Sequence, residues 1–126
     1  MTLATCRAKL DIKLTQFSGI NTSRIAWPGV PFTPPAGNAW YKVDLIPTGV
    51  EPEITGPAHE KGVYQVSVFA PIGTGIGALL GLADAVIAHF DRQNLTGVGT
   101  GVPVAGPVLT DGAWIYLPVQ IPFQTL

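Results

Sequence analysis

The stretch from Lys61 to Arg92, KGVYQVSVFAPIGTGIGALLGLADAVIAHFDR, constrains the fold more than any other part of the chain. Tyr64, Val66 and Val68 alternate with more polar residues over 63–70, the period-two mark of a half-buried strand. Pro71 and Gly73 end that segment. Beyond them Ile76, Leu79, Leu80, Ala83, Val86, Ile87 and Phe90 form a wide apolar stripe, which predicts a sheet-facing helix over residues 75–91. Gly77 and Gly81 weaken that helix by about 1 kcal/mol each relative to alanine. Their lack of a side chain lets a strand or a neighbouring helix approach closely there.

Two further elements read clearly. Leu3, Cys6, Leu10, Leu14 and Phe17 recur at helical steps and predict a helix over residues 2–18, capped by Thr2 and ended by Gly19. Cys6 falls on the apolar stripe and reads as a small buried hydrophobe. Residues 39–47 predict a strand with Tyr41, Val43 and Leu45 on one face and Trp40, Lys42, Asp44 and Ile46 on the other. Between these elements, Arg24–Trp27 reads as a short strand. The prolines at 28, 31, 34 and 35 then impose an extended connector, pinned by Trp27 and Phe32 to the core or to a neighbouring subunit.

The rest is broken by turn residues. Residues 48–61 predict a long polar loop carrying Glu51, Glu53, Glu60 and Lys61, a segment expected to order against a partner. Residues 94–112 are glycine-rich, with one proline-interrupted strand over Val102–Val108 and a hairpin turn at Asp111-Gly112. In the last segment Ile115, Leu117, Val119, Ile121 and Phe123 alternate inward. Pro118 and Pro122 share the other parity, so they remove donors from one side only, which predicts an edge strand or a docking boundary. The expectation is a single domain over residues 1–126 of the α+β class. Two helices pack on a mixed, mainly antiparallel sheet of about four to five strands, in the order α-β-β-β-α-β-β.

Composition narrows the function classes. Only 12% of the 126 residues are charged while 47% are apolar, against a usual charged share of about 25%. Such a surface points to burial in an assembly. The net charge is −1 and no basic run exists, so a phosphate-binding patch is not supported. A lone cysteine forms no internal disulfide and suits a reducing compartment. No apolar run is long enough to span a membrane, and no secretory leader is legible at the N-terminus.

The chemistry-bearing residues do not assemble into a reactive set. GTGIGA at Gly73–Ala78 matches a dinucleotide fingerprint between a strand and a helix, with Asp91 further on. That fingerprint needs its acidic residue at the end of a following parallel strand, whereas Asp91 closes a helix. A turn that permits close packing is the alternative reading. His59, His89 and Cys6 lack metal-ligand spacing, and Ser18, Ser23 and Ser67 lack a nucleophile elbow. Asp84 and Asp91 read as a solvated helix face. No catalytic, cofactor-binding or metal residue is assigned, and no enzyme is expected.

The order of elements and several strings resemble the tail terminator, or tail completion, proteins of long-tailed bacteriophages. The strings are the N-terminal helix, Ala26-Trp27-Pro28 through Pro34-Pro35, Val63 through Pro71, Leu82-Ala83-Asp84, and Asp111-Gly112 through Phe123. The resemblance implies a small α/β domain that forms a hexameric ring, caps the tail tube, stops its polymerisation and presents a joining surface to the head. Its implied partners are other copies of itself, the tube protein and a head completion or connector protein. DNA passes through without specific binding, and no membrane is involved. The implied location is the virion tail, assembled in the host cytoplasm. Trp40, Trp114 and Tyr116, with Glu51, Glu53, Glu60 and Lys61, are the interface candidates. The alternatives are a head–tail connector or minor tail protein and, from another class, a small ligand- or nucleotide-binding domain using the Gly73–Ala78 turn.

Overall fold

The computed structural model describes residues 2–17, 22–35, 37–51, 59–73 and 75–126. Helix α1 spans Leu3–Thr15, and the Thr2 hydroxyl caps it by accepting from the Thr5 amide. Its buried residues are Cys6, Leu10 and Leu14, one per turn, so a single narrow stripe faces inward. Burial pushes the Cys6 thiol pKa up. The expected terminator Gly19 lies outside the described residues. A 3-10 turn at Thr22–Arg24 leads into β1 (Ile25–Ala26), followed by β2 (Trp40–Glu51), β3 (His59–Pro71) and α2 (Ile76–Phe90). The chain then forms β4 (Val98–Thr100), β5 (Val104–Ala105), β6 (Leu109–Asp111) and β7 (Trp114–Thr125).

These strands make one sheet in the order β1-β2-β3-β7-β4, with β5 and β6 also on β7. β1 runs parallel to β2 and every other pairing is antiparallel. Both helices contribute to one core with the inward residues of β2, β3 and β7, including Tyr64, Val66, Leu117, Val119 and Ile121. The α+β class and the mixed, mainly antiparallel sheet are as the sequence predicts. Among the described residues the sheet has seven strands instead of four to five, because in place of the single strand expected over Val102–Val108 the chain forms three short pieces, β4, β5 and β6, of which only β5 falls inside that range.

Pro118 and Pro122 explain both that cut and a second difference. Their carbonyls accept from the Gly106 and Gly101 amides at 2.7 and 2.8 Å. In an antiparallel strand a residue's N–H and C=O point the same way, so the missing donors face β4–β6. The one-sided donor loss is therefore real, but β7 is internal and not the edge strand expected. The broken neighbour fits the broken ladder. From Thr100 to Val104 the outer segment takes four steps while β7 takes three, from Phe123 to Gln120. The same bulge recurs between Ala105 and Leu109. A Cβ on Gly101 or Gly106 would lie 2.9 or 2.8 Å from a proline Cγ, so only glycine fits over each ring.

Two more expectations are corrected. The polar 48–61 segment, expected as a loop throughout, is strand at both described ends, because β2 and β3 stay paired up to Glu51↔His59, and its middle, 52–58, lies outside the described residues. Backbone pairing needs no apolar side chains, and Pro47 is accommodated beside a register slip at Pro47/Gly49. In α2 the buried stripe is Leu79, Ala83, Val86 and Phe90, while Ile76 and Leu80 are exposed. A Cβ added at Gly77 or Gly81 would meet nothing within 4 Å among the described residues, so the close approach these glycines allow is not used.

Polar contacts tie the helices to the sheet. The Tyr64 hydroxyl donates to Asp11 Oδ1 at 2.6 Å. Arg7 Nε lies 3.3 Å from Asp11 Oδ2 but is not aligned for a hydrogen bond. His89 Nε2 donates to the Lys13 carbonyl, and Thr100 Oγ1 donates to the Phe90 carbonyl at the end of α2. Burial raises the Asp11 pKa above its ordinary 3.8, against the opposing effects of Tyr64 and Arg7. Between 3.8 and the raised folded value, the native state holds more protons than the unfolded chain, so stability falls as pH rises through that window. Asp11→Asn keeps an acceptor for Tyr64 and removes the titration. Denaturant titrations between about pH 3 and 6 are expected to show that fall in the wild type and to lose it in the variant. An unchanged pH profile would exclude Asp11 as its source.

Candidate interaction surface

The helices cover one face of the sheet, so the other must find its own cover. There Trp40, Phe69 and Tyr116 are register partners across β2, β3 and β7, and Leu109 continues the row on β6. Trp40 stacks on Phe69 with ring centroids 4.0 Å apart, and Phe69 stacks on Tyr116 at 4.7 Å. Trp114 meets Trp40 edge-on at 5.8 Å, and Phe32 tilts over Trp40 at 5.2 Å. Cross-strand aromatic pairs are a principal source of sheet stabilisation. Here they also fasten the proline-rich segment after β1 to the sheet, as expected for Phe32.

The candidates Trp40, Trp114 and Tyr116 are thus brought together. Trp40 is only 8% exposed and lies inside the cluster, while Trp114 and Tyr116 are half-buried. The Trp40 indole N–H is sealed in without an acceptor. Sequence reading missed Phe69, although its parity opposite Val66 and Val68 was legible. The polar candidates sit apart from this cluster at the far end of the β2–β3 hairpin. Glu60 pairs with Val50 and donates its amide to Thr125 Oγ1; Lys61 pairs with Gly49 and Gln124. Glu51 pairs through its backbone with His59, and Glu53 lies outside the described residues.

Between the proline-rich strap and the sheet lies an open cleft of about 500 Å³. Trp27, Val30, Phe32, Trp40 and Phe69 wall it, with Lys42, Asp44 and Asp111 among its lining. An apolar concavity with few charges suits contact with another polypeptide. It begins where β1 stops. Among the described residues no strand covers β2 beyond Lys42, so the edge from Val43 to Glu51 offers unpaired backbone groups.

The Gly73–Ala78 turn is arranged differently from a dinucleotide site. Gly73 and Gly75 take φ values of +92° and +80°, and α2 starts at Ile76. The strand after the helix, β4, pairs with β7 and not with β3, the strand before it. Asp91 caps the helix and holds Arg92 in a two-pronged contact at 3.1 Å. Asp84 is exposed and Ser67 is buried. No helix among the described residues is long and apolar enough to cross a membrane.

Comparison with known proteins bears on what such a surface serves. One family's profile, described as phage tail terminator protein, matches residues 5–123. A solved structure that carries no functional description is similar with a TM-score of 0.74 and 25% sequence identity, over 100% of this chain and 96% of that one. No curated protein matches the sequence.

Proposed function

Because this chain belongs to the phage tail terminator family and so is a structural component of the virion tail, we propose that it acts as a hexameric ring. The ring sits on the end of the tail tube, ends polymerisation of the tube and offers the surface to which the head is joined. Its partners are neighbouring copies, the tube protein and a head completion or connector protein, and it assembles in the host cytoplasm. The family match over residues 5–123 carries this reading. The low charged fraction of 12% and the exposed aliphatics on β5, β6 and α2 support it, since identical copies that stack bury such surface. A net charge of −1 suits a channel through which DNA must slide, because phosphate binding would hold it.

Electron microscopy of purified tail tubes mixed with the protein tests the reading. Density is expected at tube ends and not along their sides, and tubes made without the protein are expected to be longer and uneven. Bare ends at saturating protein, or uniform tails assembled in its absence, would refute capping.

A further inference from the structure

The sheet has two unlike ends. At one, no strand among the described residues covers β2 from Val43 onward, and the aromatic cleft opens beside Val43 and Asp44. At the other, the bulged β4–β6 strip carries Val102 and Val104, exposed at 58% and 60%. No charged residue lies between Arg92 and Asp111, and Val102–Val108, VPVAGPV, is an uninterrupted apolar run.

We propose that the Val102–Val108 strip of one copy lies along the open β2 edge of the next, with its valines entering that copy's cleft. This placement rests on the ring reading above and names the two surfaces that the ring would join. A closed ring of identical subunits needs two different patches on each, one for either neighbour. Here the two patches lie at opposite ends of the same sheet, so head-to-tail contact uses each once. The strip adds no charge to the Lys42, Asp44 and Asp111 already in the cleft lining, so it brings no further ion that would need a partner there. Pro103 and Pro107 deprive the strip of two backbone donors. It therefore cannot form an unbroken ladder with the neighbour's β2 edge, and the valine side chains carry more of the contact than backbone bonds do.

The test uses the full chain with purified tail tubes. Val104→Glu places a charge where the cleft would receive a valine. Ile12→Glu changes an equally exposed residue on α1 that takes no part in the contact. Both variants are expected to melt like the wild type, since neither site is buried. Val104→Glu is expected to weaken capping and self-association at least about tenfold, and Ile12→Glu to leave them unchanged. Val104→Cys mixed with Asp44→Cys is expected to form disulfide-linked pairs of copies on oxidation, because Asp44 lines the cleft on the open edge and Cys6 is buried. Normal capping by Val104→Glu would overturn the placement, as would loss of capping without any cross-link between the mixed variants. A wild-type chain that neither self-associates nor binds tube ends would instead remove the ring reading itself.

Discussion

Trp40→Ala is expected to lower the unfolding free energy by about 3–5 kcal/mol, a large share of the ~5–15 kcal/mol that holds a typical domain together. The indole lies between Phe32, Phe69 and Trp114, with the closest ring centroid 4.0 Å away. Removing it takes away the surface on which the Pro28–Pro35 strap rests, and it leaves Phe69 with a partner on one side only. Trp40→Phe is expected to cost much less. A phenyl ring keeps the stack and also deletes an N–H that has no acceptor, a buried donor of the kind that costs about 1–3 kcal/mol when unpaired. Urea denaturation of the three proteins gives the comparison. Equal losses in the two variants would mean that stacking is not what holds the strap.

Alanine in place of glycine is expected to act with opposite sign at two places. Gly62 is buried in β3 beside the β2–β3 hairpin. A Cβ there would lie 2.6 Å from the Ile46 carbonyl oxygen and 3.0 Å from both the Pro47 Cα and the Phe123 ring. Two of those atoms are backbone and cannot rotate away, so the hairpin must splay. Gly62→Ala is expected to destabilise by about 2–3 kcal/mol. At Gly77 and Gly81 an added Cβ meets nothing within 4 Å, and neither residue has a positive φ. Alanine is expected to stabilise the helix there by about 0.5–1 kcal/mol per site, through reduced freedom of the unfolded chain. Thermal unfolding of Gly62→Ala and of the Gly77→Ala/Gly81→Ala double variant reads both signs. A stable Gly62→Ala protein would show that the hairpin end is looser than its packing implies.

The same glycines show how far spacing reaches. Spacing alone placed Gly77 and Gly81 within a helix, but it could not say which neighbour would sit over them. The close approaches instead fall at Gly62, Gly101 and Gly106, in strands brought together from distant parts of the chain. Candidate surface residues divide in the same way. Trp40, Trp114 and Tyr116 share a face by parity, so their grouping was legible from β2 and β7 alone. That Trp40 is enclosed and that the cleft opens beside it depended on the proline-rich strap folding back over the sheet. The 48–61 segment looked like a loop because its side chains are polar, yet pairing between β2 and β3 is made by main-chain groups that every residue carries.

Local periodicity by itself determined the two helices, the inward faces of β2, β3 and β7, the Thr2 cap and the one-sided donor loss at Pro118 and Pro122. Each follows from interactions within a few residues, where side-chain spacing and the proline ring act directly. Only the tertiary structure decided that β7 lies inside the sheet, that β2 presents the open edge, and that the strap closes over Trp40. Those outcomes depend on which strand arrives beside which, and β7 comes to rest against β3 from far along the chain. A strand's own residues state which face it buries; they carry no record of what lies against its edges.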